Sequence, residues 1–373
     1  MDLTFTPEQD AFRAEVRAWL ADNVPAEPLP SMDTEEGFEL HRQWERRLAE
    51  ARLSVVSWPE SYGGRQAGLI DWLIFEEEYW ASGAPGRVSQ NGIFLLAPTL
   101  MAYGTGEQKA RHLARMARAD DVWAQAWSEP ESGSDLASLR ATARPDGDGW
   151  RLNGQKTWSS RAVYADWCFG LFRTDPESER HRGLTYFMLP LDSEGVTVRP
   201  IAQLDGEAGF AEIFFDDVYV PGDGVLGELG QGWKVAMATT SSERGLTLRS
   251  PGRFVATAGR LLELARQSGD QTLRDAAVQA WSDAEAYRLY TFQAAARLED
   301  GIELGADSSL MKVFWSELDL RMHELALELL GPRGPVAGRW LDGFLFALAG
   351  PIYAGTNEIQ RNIIAERVLG LPR

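Results

Sequence analysis

Ile213-Phe214-Phe215-Asp216-Asp217-Val218-Tyr219-Val220-Pro221 decides the fold class of this chain. Its residues are mostly β-branched or aromatic, the types that suit a pleated, half-buried surface. Pro221 marks where it stops. Three similar runs precede it: Gly149-Trp150-Arg151-Leu152-Asn153-Gly154, Leu184-Thr185-Tyr186-Phe187-Met188-Leu189-Pro190 and Val196-Thr197-Val198-Arg199-Pro200. Gly, Asp and Pro separate them. Short strands at this spacing predict a small antiparallel barrel or sandwich over residues 121–233.

On both sides the texture turns helical. Thr6 can cap a helix that starts at Pro7, with Phe12, Val16, Trp19 and Leu20 on one face. Trp44, Leu48 and Leu53 mark a second helix, ended by Ser57-Trp58-Pro59, and Tyr62-Gly63-Gly64 reads as a turn. Leu69 to Ala81 reads as a third. From 234 the chain is helical to its end. The expectation is an α+β protein: an N-terminal helical domain (1–120), a central β domain (121–233) and a C-terminal helical bundle (234–373).

Composition limits the function classes. The chain has 373 residues, 44% hydrophobic and 25% charged, which is ordinary for a globular protein. A net charge of −18, with no basic run, argues against nucleic acid as a partner. The single cysteine, Cys168, excludes an intrachain disulfide and lies in an apolar run, so it reads as a buried, inert thiol. No metal site is expected. Met1-Asp2-Leu3-Thr4-Phe5 shows no leader pattern and no apolar run is long enough to span a bilayer, so the expected location is cytoplasmic, without membrane association.

Two further stretches carry chemistry. Ser128-Glu129-Pro130-Glu131-Ser132-Gly133-Ser134-Asp135 alone reads as a polar turn. In Ile352-Tyr353-Ala354-Gly355-Thr356-Asn357-Glu358-Ile359-Gln360-Arg361, Thr356 alone reads as a helix cap. Together they resemble the two signatures of the acyl-CoA dehydrogenases, flavoenzymes that oxidise an acyl thioester at its α and β carbons. Trp58-Pro59-Glu60-Ser61-Tyr62-Gly63-Gly64, Tyr103-Gly104-Thr105-Gly106-Glu107-Gln108-Lys109 and Asn153-Gly154-Gln155-Lys156-Thr157-Trp158-Ser159-Ser160 extend the resemblance over nearly the full length. Gly227-Glu228-Leu229-Gly230-Gln231-Gly232 is not a dinucleotide fingerprint, because its glycine spacing is wrong and no βαβ unit surrounds it.

The resemblance implies FAD as cofactor and an acyl-CoA as substrate. It places Gln125 and Ser128 at a strand edge against the flavin ring, and Ser134 at pyrophosphate or pantetheine. Trp158 would lie against the flavin and Ser160 would bond its ring. With 14 tryptophans in the chain, Trp158 alone would be weak support. Thr356 and Glu358 fall near the FAD phosphates and adenosine side.

Oxidation at the α and β carbons needs a base in a dry site, a group that stabilises the enolate oxygen, and a hydride acceptor. Many family members place a glutamate directly after the tyrosine. Here that residue is Ala354. Other members carry it on the first long helix of the C-terminal zone, before an arginine, and here that pair is Glu243-Arg244. Glu243 is therefore the expected base. Arg244 is expected near pantetheine, and the backbone at Ala354 and Gly355 at the thioester carbonyl. Read locally, Glu243-Arg244 is also an ordinary solvated helix pair. In Arg249-Ser250-Pro251-Gly252, Pro251 predicts a kink beside the base and hence room for a bulky acyl group.

Two departures bear on assembly. The family's Arg-x-x-Phe-Gly motif is absent, Leu264-Ala265-Arg266-Gln267-Ser268-Gly269-Asp270 standing in its place. The glycine-rich FAD motif is reduced to Leu329-Leu330-Gly331-Pro332-Arg333-Gly334-Pro335. Both features are similar to actinobacterial members, including steroid side-chain dehydrogenases built from two homologous chains. The expected partners are an electron-transfer flavoprotein and either a homo-oligomer (dimer or tetramer) or a heterotetramer. The alternatives are a non-catalytic or FAD-sharing subunit, and a relative acting on a nitroalkane, amine or carrier-bound acyl group.

Overall fold

The computed structural model describes residues 4–244, 251–302, 304–336 and 338–372, and for 241–244 the backbone alone. In chain order the elements are α1 (Pro7–Asn23), α2 (Glu35–Glu50), α3 (Leu69–Ala81), α4 (Ala97–Tyr103), α5 (Gly106–Ala117), β1 (Trp123–Ala126), β2 (Thr142–Asp146), β3 (Gly149–Ser160), β4 (Trp167–Arg173), β5 (Leu184–Pro190), β6 (Val196–Ile201), β7 (Phe210–Pro221), β8 (Val225–Leu226), α6 (Gly232–Arg244), α7 (Pro251–Ala265), α8 (Gln271–Glu299), α9 (Asp307–Leu330), α10 (Arg339–Ala347) and α11 (Asn357–Ile363). This is the helix, sheet, helix order that the sequence predicts.

Local chemistry sets the helix ends. At α1, Thr6 and Gln9 form a reciprocal capping box and Pro7 takes the first helical position. The second helix ends sooner than its apolar spacing suggests. It stops at Glu50, and Arg52 turns the chain in a left-handed conformation (φ 56°) so that the Leu53 N–H reaches back to the Leu48 carbonyl. Leu53 is still buried, which is why its spacing looked helical.

The strands form one eight-stranded mixed sheet, ordered β6-β7-β3-β2-β4-β5-β8 with β1 beside β4. Most pairings are antiparallel, but β1 runs parallel to β4, and β2 meets β4 in parallel through Thr142 and Arg173. The Asp216-Asp217 doublet in β7 is a bulge. It faces Asn153 between the pairs Leu152/Val218 and Gly154/Phe215, and Asp217 takes φ 55°. The extra residue resets the alternation, so Phe215 and Val218 both face the core. Cys168, Phe172, Phe187, Leu189, Ile213 and Val220 belong to the same core.

The chain divides into two compact units. One holds Met1–Ala26, Ala67–Ala84 and Arg244–Arg373; the other holds Glu27–Gln66 and Pro85–Glu243. The first unit is helical. Arg13 ties α1 to α3 through Glu77 (2.8 Å) and Glu78 (2.9 Å). The second unit contains the sheet with α2, α4, α5 and α6. Among the described residues, no helix is long and apolar enough to cross a membrane.

Pro251 is the first residue of α7, where a proline suits a helix start. The kink expected before it falls on residues 245–250, which with Arg249 and Ser250 lie outside the described residues.

Candidate active site

In the sheet unit, Gln125 is half-buried in β1, opposite Phe169 of β4. The strand ends at Ala126, two residues before Ser128, so Ser128 follows the strand edge instead of lying in it. Its carbonyl accepts the Thr157 N–H at 2.8 Å, which fixes it beside β3. Glu129 and Ser132 then exchange both backbone hydrogen bonds at 3.0 Å, closing a tight turn with Pro130 and Glu131 at its corner. Gly133, Ser134 and Asp135 are exposed beyond it. A Cβ built on Gly133 would meet no atom of this chain within 4 Å, so packing within the chain does not demand glycine there.

A buried ion pair holds this turn. Lys156 of β3 is fully buried, and its Nζ donates to Glu129 Oε1 (2.8 Å) and to the Trp127 carbonyl (3.2 Å). Glu129 also accepts the N–H of Ala141 at Oε1 (2.9 Å) and that of Arg140 at Oε2 (2.7 Å). Burial holds the Lys156 pKa below the usual lysine value, and the attraction of Glu129 opposes it.

Two residues after Lys156 the β3–β7 register slips, and Trp158 takes φ 60°. A bulky residue in that conformation is strained. Its indole is 60% exposed, braced on one side by the edge of Phe210 at 6.0 Å. Ser160 is half-buried and paired with Phe210. Close by in sequence, Trp127 Nε1 and Ser159 Oγ are buried without hydrogen-bond partners.

The helix α6 carries Glu243 and Arg244 as its last two residues, and their side chains lie outside the description. The helix itself is anchored. Thr239 Oγ1 lies 2.9 Å from Thr99 Oγ1 and 3.4 Å from the Tyr186 hydroxyl, and Val235 and Ala236 are buried.

In the helical unit, Ala354 (φ 56°) and Gly355 (φ 76°) are successive left-handed residues. Gln360 is completely buried and its Nε2 donates to both their carbonyls, at 2.9 and 3.4 Å. Thr356 caps α11 by accepting the Ile359 N–H at 3.3 Å. Glu358 is exposed in the first turn. Backbone N–H donation and the Thr356 hydroxyl hold its carboxyl below the usual range. Asn357 fastens the loop to α9: its Oδ1 accepts from the fully buried Lys312 (2.7 Å) and from Ser316 (3.1 Å).

Ser128, Trp158 and Ser160 thus lie on adjoining segments of the sheet unit, and Ala354, Gly355, Thr356 and Glu358 share one loop of the helical unit. The sequence reading gave no role to Lys156, Glu129, Gln360, Asn357 or Lys312. Scarcity was a usable signal: lysine occurs only four times, and Lys156 and Lys312 are both fully buried. Cys168 is buried, and burial pushes its thiol pKa up, which makes it inert. No group of three or more potential metal ligands occurs among the described residues.

Three domain families match in order: the acyl-CoA dehydrogenase N-terminal domain over residues 6–120, the middle domain over 124–218 and the C-terminal domain over 230–369. The acyl-CoA dehydrogenase IpdE1 of Mycobacterium tuberculosis is 43% identical, covering 98% of each chain. Among solved structures, the ChsE4-ChsE5 complex from Mycobacterium tuberculosis superposes with a TM-score of 0.84 at 31% identity, covering 100% of both chains. The Tcur3481-Tcur3483 steroid acyl-CoA dehydrogenase gives a TM-score of 0.87 at 27% identity, also covering 100% of both. With all three domains matched and a named dehydrogenase similar along nearly the whole length, this chain belongs to the acyl-CoA dehydrogenase family of enzymes.

Proposed function

We propose that this chain catalyses FAD-dependent α,β-dehydrogenation of an acyl-CoA to the enoyl-CoA, with Glu243 removing the α proton. The observation that carries the reading is the loop at Ala354. The position after Tyr353 has no carboxylate, yet its main chain is held in place by a buried glutamine. Its remaining role is to offer the Ala354 N–H to the thioester oxygen as enolate charge develops. The proton then goes to the carboxylate of Glu243. Arg244 and Ser134 bind the CoA portion.

The sheet unit suits a flavin. Trp158 presents an exposed planar ring, Gln125, Ser128 and Ser160 offer half-buried polar groups, and Trp127 Nε1 and Ser159 Oγ are donors still unsatisfied. Gly133 leaves open space beyond the turn. FAD, when bound, supplies the acceptor for the electrons leaving the β carbon. Thr356 and Glu358 are assigned to its phosphate and adenosine side. An electron-transfer flavoprotein is the onward acceptor, and the setting is the cytoplasm. Domain boundaries at 120/121 and 233/234 complete the reading.

The enzyme works as a hetero-oligomer with a homologous chain, on a bulky acyl group such as a steroid-derived thioester. The missing Arg-x-x-Phe-Gly motif supports this, because an interface of this chain alone would lack that arginine. The two similar structures named for paired chains support it as well. The test is to purify the chain alone and with its homologue, measure bound flavin, and titrate anaerobically with butyryl-, palmitoyl- and steroid acyl-CoA. Bleaching of flavin absorbance by the bulky thioester in the paired form is expected. Protein that stays colourless in both forms after incubation with FAD overturns the reading.

A further inference from the structure

Arg87 is 3% exposed, yet part of its guanidinium has no partner. Its Nε donates to Glu45 Oε2 (3.2 Å) and its Nη2 to the Ser54 carbonyl (2.7 Å). Nη1 is buried without a hydrogen-bond partner among the described residues, and so is the hydroxyl of Ser54. Both orphans belong to residues already in contact, so they lie close together. Glu45 is committed elsewhere: its oxygens also accept the N–H (2.9 Å) and the hydroxyl of Ser89. One turn earlier on α2, His41 Nδ1 lies 2.7 Å from the Gly86 carbonyl, which fixes the segment that carries Arg87. Buried polar groups are normally satisfied. Two adjacent orphans on a fixed segment are what a ligand from outside the chain would satisfy.

The path of α6 supplies the context. Lys234 lies over the Tyr103 ring at 6.0 Å, and further along, Thr239 Oγ1 meets Thr99 Oγ1 at 2.9 Å. So α6 and α4 run antiparallel. Extended by one more turn, about 6 Å, the same pairing brings the backbone of Glu243 level with Leu95. Leu95 and Phe94 belong to a π-helical segment, Asn91–Leu96, that leads into α4. Such segments recur at functional sites. The Phe94 ring covers the Arg87 guanidinium, its centroid 5.6 Å from Cζ. Phe94 thus stands between the end of α6 and the two orphaned groups.

We propose that Arg87 Nη1 and Ser54 Oγ bind an uncharged oxygen, a ketone or a hydroxyl, carried by the acyl group far from its thioester. The proposal rests on the dehydrogenase reading, with Glu243 at the α carbon, and names its substrate class: a bulky, oxygenated acyl-CoA. Nη1 can donate to either kind of oxygen, and the serine hydroxyl can donate or accept. A carboxylate suits the site less well. Glu45 already balances the charge of Arg87, so a second buried anion would stand uncompensated. A purely hydrocarbon group would leave both polar groups unsatisfied, which selects against it.

The test is anaerobic equilibrium dialysis of the purified native assembly, loaded with FAD, against an excess of steroid acyl-CoA thioesters. They differ in one feature: no ring oxygen, or a ketone on each ring in turn. At least one ketone should bind about tenfold more tightly than the deoxy thioester. Arg87→Lys keeps a cation beside Glu45 and lacks Nη1, and Ser54→Ala lacks the hydroxyl. Each should cut the preference to about threefold or less. Ser54→Ala should leave the urea midpoint of the ligand-free protein in place, because that hydroxyl bonds nothing there. Where Arg87→Lys fails to fold, Ser54→Ala decides. No preference in the wild type, or a preference that Ser54→Ala leaves intact, would overturn the proposal. Flavin absorbance separates the two failures. Thioesters that bleach the flavin without preference overturn the oxygen site and leave the dehydrogenase reading standing; ketone preference without bleaching supports the site and counts against that reading.

Discussion

Gln360 holds Ala354 by its main chain: the buried amide nitrogen donates to the Ala354 carbonyl at 2.9 Å. The position after Tyr353 carries no carboxylate, yet its peptide is fixed. A thioether cannot donate, so Gln360→Met keeps the length of the side chain and removes both bonds. The expected loss of stability is about 1–3 kcal/mol. The turnover ceiling should fall more than substrate affinity, because a mobile N–H stabilises the enolate poorly. Denaturation curves with kcat and KM measured side by side check this.

Lys156 and Glu129 form the second restraint. Lys156→Met leaves the Glu129 carboxylate buried without its cation, at a cost of about 3–5 kcal/mol. A double change, Lys156→Met with Glu129→Gln, should recover part of that loss, as measured by urea denaturation.

Trp158 tests the proposed flavin platform separately from the fold. Its indole is 60% exposed, so Trp158→Ala should change apoprotein stability by no more than about 0.5 kcal/mol. FAD binding, followed by flavin fluorescence, should weaken about tenfold. Unchanged FAD affinity would remove Trp158 from the site.

His112 predicts a pH dependence. It is buried against Trp123 and Trp167, and burial, followed by the charge of Arg111, lowers its pKa from 6.5 to about 4. Between those values the unfolded chain binds the proton and the folded chain does not. Stability therefore falls as pH drops from about 7 towards 4, with His112 contributing at most about 3 kcal/mol. His112→Gln should flatten this part of the stability profile relative to the wild type.

Much of the fold was legible because it depends on local signals. Thr6-Pro7 announces the start of α1, and the turn residues around Leu184–Pro190 and Val196–Ile201 announce strands. The parallel pairing of β1 with β4 was not legible, since register between distant strands leaves no local trace. The early end of α2 was hidden because Leu53 is buried by tertiary packing after the helix stops. In the site, the residue types of the motifs were readable. The restraints behind them, Lys156 under Glu129 and Gln360 under Ala354, join positions whose contact only the folded chain creates.

The assignment of Glu243 as base is tested most directly by anaerobic flavin reduction in Glu243→Gln. With an acyl-CoA that reduces the wild type, the variant should retain FAD and bind the thioester. Its reduction rate should be lower by on the order of 10²–10⁴-fold. A variant that reduces flavin at the wild-type rate would contradict the account.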